Sequence, residues 1–507
     1  MDSVILFFYL PTLLFIISAL YLYSQQSKNL PPTPFPALPL FGHLYLLKRP
    51  VHETLSSLSK KYGPVFSLLY GSRRVLVVSS SAAAEECLMK NDIAFANRPK
   101  LLFGKYLGNN FTSVVWSDYG DYWRNLRKIC TLEILSAHQL QKLSYIRTEE
   151  VKSMVKHLFK FSGGENKMQV VEMKPFFFEL MFNMLTRMIA GKRYYGEESK
   201  ESEERKKFQE IIRETARLGS LDDLRDYVPV LRWFWSKDTE NQLAELSKKR
   251  DEFMQNLIDE FRGSGNYKGE NKTMIQILLD SGESKPDYYT DDVIKSLMQS
   301  LLQAGAATSV DTLEWAMSLL LNNQEPLHKA QNEIDNVVGK DGLINESHLG
   351  ELPYLRYIIN ETLRMFPVVR YLLPHESSEE CTVGGFRVPI GTMLLVDAKG
   401  VQNDPKIWED PEMFRPERFQ EENVRLGWLP FGSGRRKCPG EGLAMRVVVL
   451  ALGAMIQCFD WDRIDKEMVD MTEGPGLFST KVVPLRAKCG VRPSMVSLLS
   501  EIRGDLQ

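Results

Sequence analysis

From Val4 to Tyr23 the chain carries no charged residue and is dominated by Leu, Ile and Phe. Twenty helical residues at about 1.5 Å each span about 30 Å, the thickness of a bilayer's hydrocarbon core. The pattern then changes character. Apolar positions recur at helical spacing, with charged opposite faces, across roughly residues 120 to 365. They predict helices over Asp121–Ile134, Glu203–Leu218, Gln242–Phe261 and, longest, Asp291–Leu321. Short strand-like runs near Val65–Leu69, Arg74–Val78 and Met393–Val396 predict strands, and Gly263-Ser-Gly-Asn266 predicts a surface loop. Glycine and proline are denser after residue 364, and there is no internal repeat. The pattern predicts three parts: a membrane anchor at 1–24, a proline-rich hinge at 25–42, and one large, mainly α body with small β-sheets at 43–507.

The anchor has a second reading as a cleaved signal peptide. Such a peptide would end in a small-residue cleavage site. Here the span runs into Ser-Gln-Gln-Ser-Lys28 and the stiff Leu30-Pro-Pro-Thr-Pro-Phe-Pro36. Asp2 precedes the span and Lys28 follows it, which places the body on the cytoplasmic side. The sequons at Asn110-Phe-Thr112 and Asn271-Lys-Thr273 should then stay unmodified.

Composition narrows the function. A net charge of −2 with dispersed Lys and Arg provides no field for nucleic acid. The six cysteines, Cys87, Cys130, Cys381, Cys438, Cys458 and Cys489, form neither a CxxC pair nor a disulfide framework. Only flanking sequence distinguishes one that does chemistry.

Cys438 is distinguished in this way. It lies in Pro430-Phe431-Gly432-Ser433-Gly434-Arg435-Arg436-Lys437-Cys438-Pro439-Gly440, just before a helix-like run, Glu441 to Met455. Glycines permit a tight turn and close approach to a flat ligand. Nearby cations and a helix N-terminus favour thiolate over thiol. Chemistry alone leaves a structural thiol, a redox sensor and a metal ligand open. Phe431, Gly434, Arg436, Cys438 and Gly440, however, fit Phe-x-x-Gly-x-Arg-x-Cys-x-Gly, and the stretch resembles the haem-binding loop of the cytochrome P-450 superfamily. That resemblance implies the cytochrome P-450 fold, haem b with Cys438 as the axial thiolate, and Arg436 against a haem propionate.

Other segments carry the same resemblance. Glu361-Thr-Leu-Arg364 is, by itself, an ion pair at i and i+3. It is similar to the superfamily's ExxR, and Pro416-Glu417-Arg418-Phe419 to its PERF element, which together imply a structural Glu361–Arg364–Arg418 network. Trp123 and Arg127 share a helix face, and His375 follows Pro374. They resemble positions that meet the two propionates. Ala304-Gly305-Ala306-Ala307-Thr308-Ser309 resembles the oxygen-binding segment of the long helix, with Thr308 assisting proton delivery. The acid usual before the threonine is replaced by Ala307. Asp311, one turn further on, is a candidate substitute, because helical side chains lean toward the N-terminus. A solvent-facing Asp is the alternative.

The resemblance extends over nearly the whole chain, through Phe41-Gly42-His43, Phe95-Ala-Asn-Arg98-Pro99 and Thr472-Glu-Gly-Pro-Gly-Leu477. Thr312-Leu-Glu-Trp-Ala316 and Pro374-His375-Glu-Ser-Ser378 make it similar to the plant microsomal group containing isoflavone 2′-hydroxylases and lignan-modifying enzymes. This implies a monooxygenase of the endoplasmic reticulum membrane that oxidises an apolar aromatic metabolite with O2. NADPH electrons would arrive through NADPH–cytochrome P-450 reductase, docking near Arg435 and Lys437. Leu101–Leu107, Leu302, Val369, Leu477 and Phe478 are candidate pocket contacts. Three positions depart from that group's text: Arg370 for a usual proline, and Asp397 and Lys399 for Asn and Trp. Arg370 could bind an acidic or oxygenated substrate, or face a propionate or solvent. The missing acid also suits oxidative ring closure, such as a methylenedioxy bridge. A reductase-independent isomerase and a non-catalytic haem-binding sensor are the alternatives in other classes.

Overall fold

The computed structural model describes residues 29–48, 50–162, 168–196, 202–218, 224–228, 238–263, 272–421, 427–476 and 478–504, together with Ile16. The anchor at Val4–Tyr23, the first residues of the hinge, Asn271 and Leu477 lie outside the described residues.

The helices used below are α1 (Val51–Tyr62), α2 (Asp121–Lys128), α3 (Ser144–Phe161), α4 (Lys174–Ala190) and α5 (Glu203–Leu218). They continue with α6 (Asp238–Gly263), α7 (Asp291–Asn322), α8 (Pro353–Met365) and α9 (Glu441–Cys458). The strands are β1 (Val65–Tyr70), β2 (Arg73–Val78), β3 (Gln169–Glu172), β4 (His375–Glu376), β5 (Cys381–Val383), β6 (Phe386–Val388), β7 (Met393–Val396), β8 (Phe459–Asp462) and β9 (Arg486–Val491). The main sheet runs β1-β2-β7-β4. Its β1–β2 hairpin pairs Val65 with Val78, and β7 adds in parallel with Val75 opposite Met393. The sheet β3-β9-β8 and the pair β5-β6 complete the β structure.

The helices and strands expected within the described residues are present with small differences, and residues 264–266 of the expected loop lie outside the described residues. The predicted helix over Asp121–Ile134 stops at Lys128 and continues as a π-helical turn over Ile129–Ile134. There the Leu135 amide reaches back to the Cys130 carbonyl (2.8 Å). The Thr131 hydroxyl donates to the Arg127 carbonyl (2.9 Å), a local competitor of the helical ladder that sequence periodicity does not report. The hinge does not simply project the body from a membrane. Its Pro32 carbonyl accepts from the Ser67 amide (2.8 Å), and fully buried His43 accepts from Leu69 and donates to the Pro34 carbonyl. The proline segment is thereby docked along β1.

Helix α7 is the axis of the body. Thr290 caps it, accepting from the Val293 amide, and Asp291 and Asp292 complement the dipole in its first turn. From Ser309 to Leu321 every side chain is buried, because α4, α6, α8 and α9 pack around it. Gly305 lets α4 pack closely: a β-carbon there would sit 3.2 Å from the Leu185 side chain, which would have to shift slightly. Helix α9 is apolar along its length and would suit a membrane by composition, but its side chains from Val447 to Cys458 are buried in the core.

Candidate active site

The cysteine loop is held by backbone geometry. Gly432 and Gly434 both adopt φ +67°, which side-chain-bearing residues rarely do. Gly434 passes so close to the Leu88 carbonyl that a β-carbon would lie 1.9 Å from it. The Cys438 amide then donates to the Phe431 carbonyl (2.8 Å), closing the loop. The Phe431 ring meets Trp428 edge-on at 6.2 Å. Cys438 comes to rest just ahead of α9, where the Gly440 and Glu441 amides donate to its sulfur. Cys438 is exposed as a residue although protein surrounds its sulfur deeply. Burial, the largest influence, pushes the thiol above its ordinary value against the pull of those amides and of Arg127.

That outcome corrects one sequence expectation. The loop's own cations do not activate the thiol, because each is engaged elsewhere. Arg435 pairs with Asp92 (2.9 Å) and Lys437 with Glu441 (2.6 Å). Arg436 donates to the carbonyls of Ala96 (2.7 Å), Val114 (3.3 Å) and Ser117 (2.5 Å).

Behind the loop lies the expected three-residue network, fully buried rather than on a surface. Arg364 donates twice to Glu361, at 2.7 and 3.0 Å, and Arg418 donates to the same carboxylate at 3.1 Å. Their remaining N–H groups meet main-chain carbonyls, among them Gln402 and Pro411 for Arg364, and Glu409 and Asp410 for Arg418. Breaking such a buried network by removing one member costs about 3–5 kcal/mol.

Beside Cys438 is a concentration of positive charge. The Arg436 guanidinium stacks over Trp123 at 4.4 Å. The Trp123 N–H donates to Val114 (3.0 Å), so Trp123 orients Arg436 and has no N–H left for a ligand. The Arg127 guanidinium makes no hydrogen bond or ion pair among the described residues, and its charge acts on Cys438 and Cys130. Arg98, which the sequence reading used only as a family marker, is buried here. It donates to Val115, Leu373 and Pro374 through Nε and Nη1. Burial lowers Arg436 to about 8, and the neighbouring Arg98 and Arg127 push the same way; Asp118 opposes them. His375 is buried, with Nδ1 2.7 Å from the Phe95 carbonyl. A carbonyl only accepts, so Nδ1 carries the proton and neutral His375 presents an acceptor at Nε2. It can donate to a carboxylate only after gaining a second proton, which burial and the adjacent Arg98 oppose and an anion would favour.

On α7, Ala304 and Ala307 are exposed and Thr308 half-buried, one face at i, i+3 and i+4 left uncovered just before the fully buried stretch from Ser309 to Leu321. Thr308 donates to the Ala304 carbonyl (2.7 Å). Asp311 does not reach back to Thr308. It faces Lys174 of α4 at 3.7 Å, and Lys174 lies nearer to Glu314 at 3.3 Å. One ammonium shared by two carboxylates compensates Asp311 poorly, so burial prevails and lifts its pKa to about 7. Arg370 is likewise not turned to substrate or propionate: its guanidinium pairs with Glu473. Leu101, Leu102 and Leu302 are buried, while Val369 and Phe478 are paired across a β-bridge and partly exposed.

The donor set fits a thiolate-ligated haem. Among the described residues no three His, Cys, Asp or Glu converge, so a metal at Cys438 must bring its other ligands, as a porphyrin does. The Arg98–Arg127–Arg436 group provides cations in excess where two carboxylates would bind. Fold and site therefore define the class of cysteine-ligated haem proteins. The chain belongs to the cytochrome P450 family, whose model matches residues 31–488. It is similar to Cytochrome P450 81Q32 of Catharanthus roseus, 48% identical with 99% of each chain covered. It is also 44% identical to a (+)-piperitol/(+)-sesamin synthase of Sesamum radiatum (96% of each chain) and 43% identical to an isoflavone 2′-hydroxylase of Glycyrrhiza echinata (95% of each chain). It is a cytochrome P450 monooxygenase by family, and the family implies haem, a cysteine thiolate and electrons from a redox partner.

Proposed function

We propose that this enzyme hydroxylates an apolar aromatic plant metabolite, an isoflavonoid, lignan or alkaloid, at a haem held by Cys438. The observation that carries the reading is exposed Cys438 on its closed glycine turn, with Arg98, Arg127 and Arg436 nearby and none of the three paired with a carboxylate among the described residues. Arg127, Arg436 and Arg98 would hold the propionates, with Trp123 orienting Arg436, His375 becoming a donor once protonated, and Phe431 closing the loop. Bound haem would supply reductive activation of dioxygen and transfer of one oxygen atom. Thr308, on the uncovered face of α7, would hold a proton at its hydroxyl for delivery. The names of the relatives, isoflavone hydroxylases and a sesamin synthase, support the substrate class. Electrons would come from NADPH through a flavin-carrying reductase. Because Arg435 and Lys437 are each paired with an acid, their positive patch is weaker than the sequence suggests. The Val4–Tyr23 segment would anchor the enzyme in the endoplasmic reticulum with its body in the cytoplasm. A glycosidase-sensitive mass at Asn110 would refute that topology.

Ring closure is the second reading, favoured by one observation: position 307 is Ala and Asp311 is engaged by Lys174. Incubation with reductase, NADPH and panels of isoflavones and lignans separates the two. Hydroxylation adds one oxygen to the product mass, whereas ring closure removes two hydrogens. Thr308→Val should lower product formed per NADPH consumed about threefold or more in either case. Unchanged coupling would remove Thr308 from the proposal. Turnover without NADPH would favour an isomerase.

A further inference from the structure

The three positions that set this chain apart from its plant group, Arg370, Asp397 and Lys399, come together in one place. Arg370 and Lys399 each pair with one oxygen of Glu473, and the Ser479 hydroxyl donates to the same carboxylate (3.0 Å). Asp397 accepts from the Gly400 amide (2.8 Å) and the Tyr371 hydroxyl (3.3 Å), bracing the segment on which Lys399 sits. Arg370 and Glu473 are about nine-tenths buried, with side-chain exposures of 10% and 11%.

Glu473 opens a hairpin. Its arms pair through Glu473 and Lys481, with the Gly474 amide donating to Thr480 (2.7 Å) and the Val482 amide to Thr472 (3.1 Å). The first arm is gripped by Arg370 and Lys399. The return arm is gripped by α7, where the Trp315 N–H donates to the Ser479 carbonyl (2.5 Å). Trp315 and Phe366 stack at 4.1 Å between Lys481 on one outer face (4.6 Å) and Lys399 on the other (5.0 Å). Phe478, partly exposed near the hairpin's tip, pairs with Val369, the residue next to Arg370.

We infer that Arg370 and Lys399 form an ionic clamp on Glu473 that positions Phe478 against Val369 and so sets the width of the substrate pocket. Arg370 is thus a positioning residue and not a ligand for substrate. The proposal rests on the proposed haem site and on the expectation, drawn from the family resemblance, that Val369 and Phe478 contact the substrate. The charge arithmetic grades the variants. Glu473→Gln leaves Arg370 and Lys399 with Asp397 as the one carboxylate of the cluster, whereas Arg370→Gln leaves Lys399 facing both Glu473 and Asp397.

The test uses the full-length enzyme loaded with haem, with the reduced carbon monoxide spectrum recorded first for each variant. Imidazole and 4-phenylimidazole are then titrated by the Soret shift; the first senses the iron and the second also senses the pocket wall. For Glu473→Gln, imidazole affinity should stay within about twofold while 4-phenylimidazole affinity changes about tenfold. Arg370→Gln should change the latter about threefold, and the double variant should be no worse than Glu473→Gln, the signature of coupled residues. Unchanged 4-phenylimidazole binding in Glu473→Gln overturns the clamp. So does an Arg370→Gln effect confined to a carboxylated phenylimidazole, which would make Arg370 a direct anion site. If Glu473→Gln takes up no haem, Arg370→Lys decides: it keeps the charge but loses the planar fork, and an unchanged probe ratio refutes the clamp. If the wild type itself lacks a thiolate-type band, the haem reading fails. The clamp is then judged by hydrogen exchange over 472–482, which Arg370→Gln should accelerate and which refutes the clamp if unmoved.

Discussion

The cysteine side and the substrate side are both tied by one carboxylate between two cations, yet they are built differently. On the cysteine side, Glu361 lies between Arg364 and Arg418, and the spare N–H groups of both arginines reach main-chain carbonyls from five other residues. On the substrate side, Glu473 lies between Arg370 and Lys399, and the contacts of their charged groups with it are side chain to side chain. A network anchored to backbone keeps its shape whatever occupies the site. A network of side chains can be retuned by a single replacement. The first suits a cofactor that is the same in every turnover, and the second suits a pocket that must differ between enzymes.

The sharpest way to break this comparison is at Cys438. Cys438→Ala should abolish the thiolate-type Soret band of the reduced carbon monoxide complex, and its survival would place the ligand elsewhere. Next in size is the ionic network. Glu361→Gln should destabilise the fold by about 3–5 kcal/mol in a denaturant titration, against about 1–3 kcal/mol for Glu473→Gln. Equal costs would erase the distinction between the two sides. Arg127→Leu should speed haem loss to an acceptor protein roughly three- to tenfold, since it removes a charge with no protein partner. Arg370→Leu should leave haem loss unchanged.

The smallest expected effect is one of pH. Asp311 has a folded-state pKa near 7, above its ordinary value of 3.8. The folded state therefore binds the proton more tightly, and the stability this lends is full below about pH 4 and lost as pH rises through 7. Asp311→Asn should gain on the wild type by about 2–3 kcal/mol between pH 5 and pH 8 in parallel denaturant titrations. A pH-independent difference would mean that Lys174 compensates Asp311 fully.

Much of the fold was legible because its signals are local. Helix α7 announced itself by a periodicity that runs from Asp291, and the β1–β2 hairpin by two short, largely apolar strand-like runs. The Glu361–Arg364 pair was legible for the same reason, three residues on one helix, though nothing local reported that it is fully buried. The cysteine loop was legible because five spaced residues, each with its own backbone or charge requirement, must occur together.

What the sequence by itself determined is therefore the element order, the family and the identity of the candidate iron ligand. Tertiary structure alone decided what the charged side chains face. Arg370 meets a carboxylate 103 residues away, Arg98 meets carbonyls more than 270 residues away, and Asp311 is drawn to Lys174 on another helix. Trp123 orients Arg436 instead of offering its N–H to a ligand. Periodicity fixes which face of a helix a residue occupies. The partner of a buried charge is fixed only when two distant segments are desolvated together, and that competition is settled by the whole packed chain.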